Sequence, residues 1–157
     1  NAGRIDYLCR FRVMKFEYKY YGKNRGRRVI RPVIPVTIVF NGQQVQHEVL
    51  IDSGADDCIF SDEIATVLGI ELTGGVQETV TGITGGREPY YIHKVDLIVG
   101  GHYLYYVEVG FKHMQTPGGY GVVGQRGFFE NFIVKFDYKK EQVEIFPRSL
   151  ELLRKKE

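Results

Sequence analysis

The sequence predicts a mostly β protein of one domain, and three observations carry that reading. Tyr and Phe number 11 and 10, Gly reaches 19, and Trp is absent, a composition that leans towards strands and turns. Apolar and polar residues alternate over several runs of strand length. Asn41-Gly42 separates two such runs, which is the strongest short hairpin signal. No alternation of strand and helix runs along the chain, so a parallel βαβ architecture is excluded. At 157 residues with 43% apolar content, the chain has the length of one domain and the means to bury a core.

Residues 5–21, IDYLCRFRVMKFEYKYY, read as a strand. Tyr7, Cys9, Phe11 and Val13 share one face, then Met14, Phe16, Tyr18 and Tyr20 share one. The phase slips by one residue at Val13-Met14, which predicts a bulge or a change of sheet. Residues 22–31, GKNRGRRVIR, read as a basic loop. Pro32 and Pro35 flank a strand start and place it at an edge. Residues 36–40 and 43–51 form the hairpin around Asn41-Gly42, with Val45, His47, Val49 and Ile51 on one face. Ser61-Asp62-Glu63 marks a helix start, because Ser caps and the acids favour the positive end of the dipole. Ile64, Ala65, Val67 and Leu68 give that helix an apolar face, and Gly69 stops it.

Two strand-like arms, about 76–81 and 89–99, enclose the glycine-rich tip Gly82-Ile83-Thr84-Gly85-Gly86. Residues 102–109 follow a Gly100-Gly101 turn as a strand, and 112–119 read as a loop. Residues 120–124 form a short apolar strand, a brief helix runs through 128–132, and 133–137 pairs with 142–146. The tail, 148–157, reads as a short helix or a frayed end. The chain thus divides into a basic extension over 1–31, a domain over 32–147 and a charged tail over 148–157.

Net charge is +2, but residues 1–31 hold ten Lys/Arg against Asp6 and Glu17, and the remainder holds eleven against seventeen. A nucleic-acid contact through residues 10–31 fits this polarity. So does a solvated edge strand blunted by Lys and Arg, and the alternation of basic with apolar residues favours it. No apolar run approaches a membrane span, and no secretory h-region is visible. Cys9 and Cys58 lack CxxC spacing and read as small buried thiols in a reducing, cytoplasmic compartment.

Several chemistries fall away. Gly119 to Gly124 fits GxGxxG by letter but ends a strand and leaves no room for a βαβ unit. There is no P-loop motif, and no GxSxG elbow surrounds Ser53. His47, His93, His102 and His113 are scattered without metal-ligand spacing. What remains is Leu50-Ile51-Asp52-Ser53-Gly54-Ala55-Asp56-Asp57. An apolar strand ends, a carboxylate appears, and Ser-Gly turns the chain, so Asp52 sits where it can reach a ligand. By itself this is also an ordinary Asp-Ser turn. Two carboxylates sharing one proton can activate a water and protonate a substrate carbonyl. That needs two such turns where the chain offers one, and a two-fold homodimer would supply the second.

The stretch from Leu50 to Asp57 resembles the active-site turn of retropepsins, the single-domain aspartic proteases of retroviruses and their cellular and bacterial relatives. The 82–86 hairpin resembles their flap. Val122-Val123-Gly124 is similar to the segment that threads behind their catalytic loop. The tail pattern GQRGFFENFIVKFDYKKEQVEIFP is similar to bacterial members. The likeness covers roughly residues 33–146 and implies a closed, β-barrel-like acid-protease domain with a flap hairpin and one or two short helices.

It further implies an aspartic endopeptidase acting on peptide or protein substrates as a homodimer, with no metal or organic cofactor and an acidic pH optimum. Asp52 would be the catalytic carboxylate, Ser53 would bond across the dimer, and Gly54 would complete the turn. Gly54, Ala55 and Asp56 would line the substrate backbone, and Asp57 would face a side-chain subsite. Gly82, Ile83, Thr84, Gly85 and Gly86 would close over the peptide, and Val123 would line a pocket. Retropepsins commonly place Arg directly after the Gly of the threading segment, where it pairs with the position of Asp56. Here Gln125 holds that place and Arg126 follows. A catalytically silent dimerisation or peptide-binding module on the same fold is the alternative reading.

Overall fold

The computed structural model describes residues 13–81, 85–114 and 119–148. It contains the strands β1 (Met14–Glu17), β2 (Lys19–Asn24), β3 (Arg27–Arg31), β4 (Val33–Phe40), β5 (Gln43–Ile51), β6 (Ile59–Ser61), β7 (Val76–Thr81), β8 (Arg87–Val99), β9 (His102–Lys112), β10 (Gly121–Val123), β11 (Phe132–Asp137) and β12 (Gln142–Pro147), with one helix, α1 (Asp62–Val67), after β6. The chain splits into two compact units, one from Val33 to Phe128 and one from the residues up to Pro32 together with those from Phe129 on.

The larger unit is one seven-stranded sheet in the order β4-β5-β10-β6-β9-β8-β7, and a further pairing of β4 with β8 closes it into a ring. This is the closed mostly-β domain that the sequence implies. β4 and β5 are joined by Asn41 (φ 45°) and Gly42 (φ 77°), the left-handed pair that a type I′ turn requires. Pro35 lies outside the Thr37–Val39 stretch that pairs with β8, so its missing N–H falls where one edge of β4 is open. Alternation buries Ile34, Val36 and Ile38 from β4, Val95, Leu97 and Val99 from β8, and Val107 and Val109 from β9. Phe60 and Phe111 pack at 6.0 Å between ring centroids among fully buried side chains.

The short strand β10 positions the site. It runs parallel to β5 (Val122 opposite Leu50, Val123 opposite Ile51) and antiparallel to β6 (Val122 opposite Ile59). A strand wedged between two others needs small residues where backbones meet. A Cβ on Gly121 would come within 2.9 Å of the Ile59 carbonyl oxygen, and one on Gly124 within 2.4 Å of the Ala55 carbonyl oxygen and 2.6 Å of that of Asp57.

Helix α1 begins as expected, with the Ser61 hydroxyl accepting from Glu63 N at 3.2 Å and two acids in the first turn. Gly69 ends it at φ 72°. Ala65 and Leu68 are buried, but Val67, expected on the apolar face, is 62% exposed. The helix is only six residues long, so fewer positions face the sheet than the apolar count suggested. The helix expected over 128–132 is absent. Gln125–Phe129 is a kinked turn with Arg126 extended and Gly127 at φ 91°, and Phe132 already opens β11.

In the smaller unit β1, β12 and β11 form a three-stranded antiparallel sheet, and β2 pairs with β3 as a separate hairpin. The chain changes sheet at Tyr18, whose N–H donates to the Glu141 carbonyl at 2.7 Å; the phase slip expected at Val13-Met14 borders residues 5–12, which lie outside the described residues. Residues 22–31 are not a loop. They are most of a β-hairpin whose turn, Arg25 (φ 52°) and Gly26 (φ 72°), copies the left-handed geometry of Asn-Gly. Arg in that place gives no turn signal in sequence, and a polar ribbon gives no apolar alternation. Phe132, Val143 and Ile145 are buried.

The space around Gly124 gives a stability prediction. Gly124→Ala should lower the unfolding free energy by about 2–3 kcal/mol, because the methyl meets backbone that cannot rotate away. Gly86→Ala, with nothing within 4 Å of its Cβ, should change it by less than about 0.5 kcal/mol. Urea denaturation of the two variants beside the parent measures both.

Candidate active site

Asp52 follows the last residue of β5, and its N–H donates to the Val123 carbonyl at 3.0 Å, so the threading strand fixes where the turn begins. The turn closes with Ala55 N–H donating to the Asp52 carbonyl at 3.2 Å. The carboxylate is held from within, since Oδ1 accepts from Gly54 N–H at 2.8 Å. A side chain at Gly54 would come within 3.2 Å of that same oxygen, so glycine keeps the carboxylate clear. Asp52 is half-buried, while Ser53, Gly54 and Asp56 are exposed.

The far side of the turn rests on residues after Gly124. Gln125 N–H donates to the Ala55 carbonyl at 2.8 Å, and Arg126 N–H to the Asp56 carbonyl at 2.9 Å. The Gln125 side-chain amide also donates to the Ser53 carbonyl. Cys58 is buried, and its thiol donates to the Arg126 carbonyl at 3.3 Å; Cys9 lies outside the described residues.

The arginine pairs with Asp57 and not with Asp56. Arg126 Nε donates to Asp57 Oδ1 at 2.7 Å and Nη2 to Oδ2 at 2.9 Å, and the Tyr90 hydroxyl donates to Oδ2 at 2.8 Å. The one-residue shift from the usual arginine position is thus matched by a one-residue shift of the acid. The same contacts change the expectation for Asp57. It is buried, with 8% of its surface exposed, and both oxygens are occupied inside the chain. Its place is a brace behind the turn, where a side-chain subsite was expected. Asp56 is exposed and adds to the negative charge around Arg126.

Hydrogen bonds from Arg126 hold the Asp57 carboxyl below its ordinary range, with Tyr90 adding to the effect and burial opposing it. Burial, then the bond to Asp57, push the Tyr90 hydroxyl up to about 12. Tyr90 stands on β8 opposite Glu78 of β7, and its ring fills the space over Gly110, where a Cβ would lie 2.4 Å from Tyr90 Cδ2. Tyr90 and Gln125 both bond to the turn, and sequence reasoning missed them. Nothing local marks a strand tyrosine 33 residues from its carboxylate.

The flap arms pair from Val76 opposite Ile92 to Thr81 opposite Arg87, so residues 82–86 bridge the tip. Gly82, Ile83 and Thr84 lie outside the described residues. Gly85 (φ 81°) and Gly86 are described and open on all sides. Val123, expected to line a pocket, is fully buried. Side chains alternate along a strand, and Val122 is the half-buried one, in a cross-strand row with Leu50 and Ile59. A cavity of about 270 Å³ lies against His47, Ser61 and Glu63, and none of residues 52–57 lines it.

The brace carries a pH prediction. Asp57 has a lowered folded pKa, so its contribution is present above the unfolded value of about 3.9 and is lost as pH falls through the folded value. Tyr90 has a raised one, so its contribution is present below about 10 and is lost as pH rises towards 12. Tyr90→Phe should cost about 1–2 kcal/mol near neutral pH, by leaving a charged acceptor without one donor. The deficit should shrink both below pH 4 and above pH 10. Thermal or urea unfolding across that range reads it, and a deficit that did not vary with pH would contradict the brace.

The aspartyl protease family model matches residues 34–125. Among solved structures, a retropepsin-like aspartic protease from Rickettsia conorii is similar with a TM-score of 0.57 at 16% identity, over 87% of this chain and 95% of that one. The EIAV protease, solved with the inhibitor HBY-793, is 22% identical over 60% of this chain and 81% of its own, with a TM-score of 0.43. No curated protein matches the chain. The Rickettsia structure shares the retropepsin fold, and the family match spans the Asp52 turn, both flap arms and the threading strand. The chain belongs to the aspartyl protease family and is an aspartic-type peptidase of retropepsin-like fold.

Proposed function

We propose that the peptidase is an endopeptidase working as a two-fold homodimer, with water activated between two copies of Asp52. One observation carries the reading. Of the three carboxylates in the turn, Asp57 is engaged on both oxygens, Asp56 lies on the exposed outer side, and Asp52 alone sits at the strand end with its carboxylate half-buried. A shared proton needs a second carboxylate about 3 Å away, and a second copy of the same turn is the source that symmetry offers. In such a pair the ionised oxygen takes a proton from water as the water attacks the scissile carbonyl. The protonated oxygen gives its proton to the carbonyl oxygen. Ser53 stiffens the paired turns across the axis.

Substrate lies extended between flap and floor as an added strand. Gly54, Ala55 and Asp56 contact its backbone, and the tip residues Gly82–Gly86 close over it. The apolar row Leu50, Val122 and Ile59 takes the floor role first assigned to Val123. Asp57 supports the turn from behind.

Incubation with a mixed peptide library at several pH values tests this. The parent should cleave with an optimum on the acidic side, since the pair must hold one proton. Asp52→Asn should reduce cleavage by at least about a thousandfold. Absence of cleavage by a protein shown to be dimeric would refute the proposal. Activity per chain should fall on dilution through the dimer dissociation range, followed in parallel by sedimentation; full specific activity from a demonstrated monomer would refute the shared site.

A further inference from the structure

We propose that the β2–β3 hairpin is a binding ribbon for the phosphate backbone of a nucleic-acid duplex. Residues 19–31 contain Lys19, Lys23, Arg25, Arg27, Arg28 and Arg31 and no acidic residue. The register sets Lys19 opposite Arg31 and Lys23 opposite Arg28. Like charges directly opposite weaken a strand pair. Protecting an edge from unwanted pairing takes only a charge or two. The hairpin therefore carries more positive charge than that need explains, a composition that suits a polyanion.

The cations are also arranged. Lys19 and Arg31 lie over the Tyr21 ring at 5.8 and 5.2 Å, and Arg28 lies over Tyr20 at 5.4 Å. Rings that hold long side chains in place reduce the entropy lost when those side chains meet phosphate. Arg28 is paired with Glu141. Among the described residues no carboxylate pairs with Lys23, Arg25 or Arg27, which surround the tight Arg25-Gly26 turn. The tip, 23–27, is exposed throughout.

A two-stranded ribbon is narrow enough to enter the major groove of a duplex, and arginine suits phosphate geometry. A bilayer surface fits less well, because the tip sequence KNRGR has no apolar side chain to insert. Residues 33–128 hold eleven Asp/Glu against four Lys/Arg, so that stretch does not attract a polyanion. The inference does not depend on the dimeric mechanism.

Fluorescence anisotropy with a labelled duplex of about 20 base pairs tests it on the full chain. Log affinity should fall linearly with log salt at a slope of about −4, near 0.9 per phosphate neutralised. The triple variant Lys23→Gln, Arg25→Gln, Arg27→Gln should bind at least about tenfold weaker at 100 mM salt, with a slope shallower by about 2–3. Its melting temperature should not drop, since these side chains hold no ion pair and lie in the open. Arg27→Lys, which keeps the charge, should keep the slope. The proposal is overturned if parent and triple variant bind with the same affinity and slope. It is equally overturned if the parent ignores the duplex at low salt, including the case where it binds phosphatidylserine vesicles instead.

Discussion

The close approach of Gly124 to the carbonyl oxygens of Ala55 and Asp57 is the constraint on which the active-site turn depends. It lets β10 lie between β5 and β6 and bring its backbone to the turn from behind. The bonds that follow are made by main chain: Asp52 N to Val123, Gln125 N to Ala55 and Arg126 N to Asp56. Main-chain bonds are indifferent to which side chain stands at residue 125. That explains how glutamine occupies a place that arginine commonly holds in retropepsins without loosening the turn. Steric exclusion at one glycine sets the geometry, and side chains then refine it.

The refinement links turn to flap. Asp57 collects Arg126 from one side and Tyr90 from the other, and Tyr90 belongs to the strand that continues into the flap arm. The ring is seated over Gly110, so the arm has a fixed base. Beyond it, ladder pairing reaches Thr81 and Arg87, and glycine begins where pairing ends. Asp57 thus joins the base of that arm to the turn that carries Asp52.

Much of this was legible in the sequence, for local reasons. Asn41-Gly42 and the Ser61 cap are short-range signals, and both appear where expected. Asp52, Ser53 and Gly54 declared themselves through turn chemistry and order along the chain. The failures share a cause too. The β2–β3 ribbon escaped because cationic strands show no apolar alternation. The Asp57 brace escaped because its partners are 33 and 69 residues away in sequence. Val123 is fully buried and Val122 half-buried, because one residue along a strand turns the side chain to the other face. Distance along the chain and a period of two are the points at which sequence patterns lose their grip.

The division of roles among three adjacent acids follows from burial and partners alone. Asp57 is enclosed and paired, so it stays charged and still, which suits a brace. Asp56 accepts from Arg126 N–H through its carbonyl and is exposed, which suits contact with something that arrives. Asp52 has one oxygen steadied by Gly54 N–H. Leu50, two residues before it, stands in a cross-strand row with Val122 and Ile59, all half-buried. Covering that apolar surface is favourable, because it removes apolar area from water. On the dimeric reading the cover is substrate from above and the partner's turn from the side, and both exclude water from the shared proton. The same burial that strengthens association then strengthens the electrostatics of the pair, so assembly and chemistry draw on one surface.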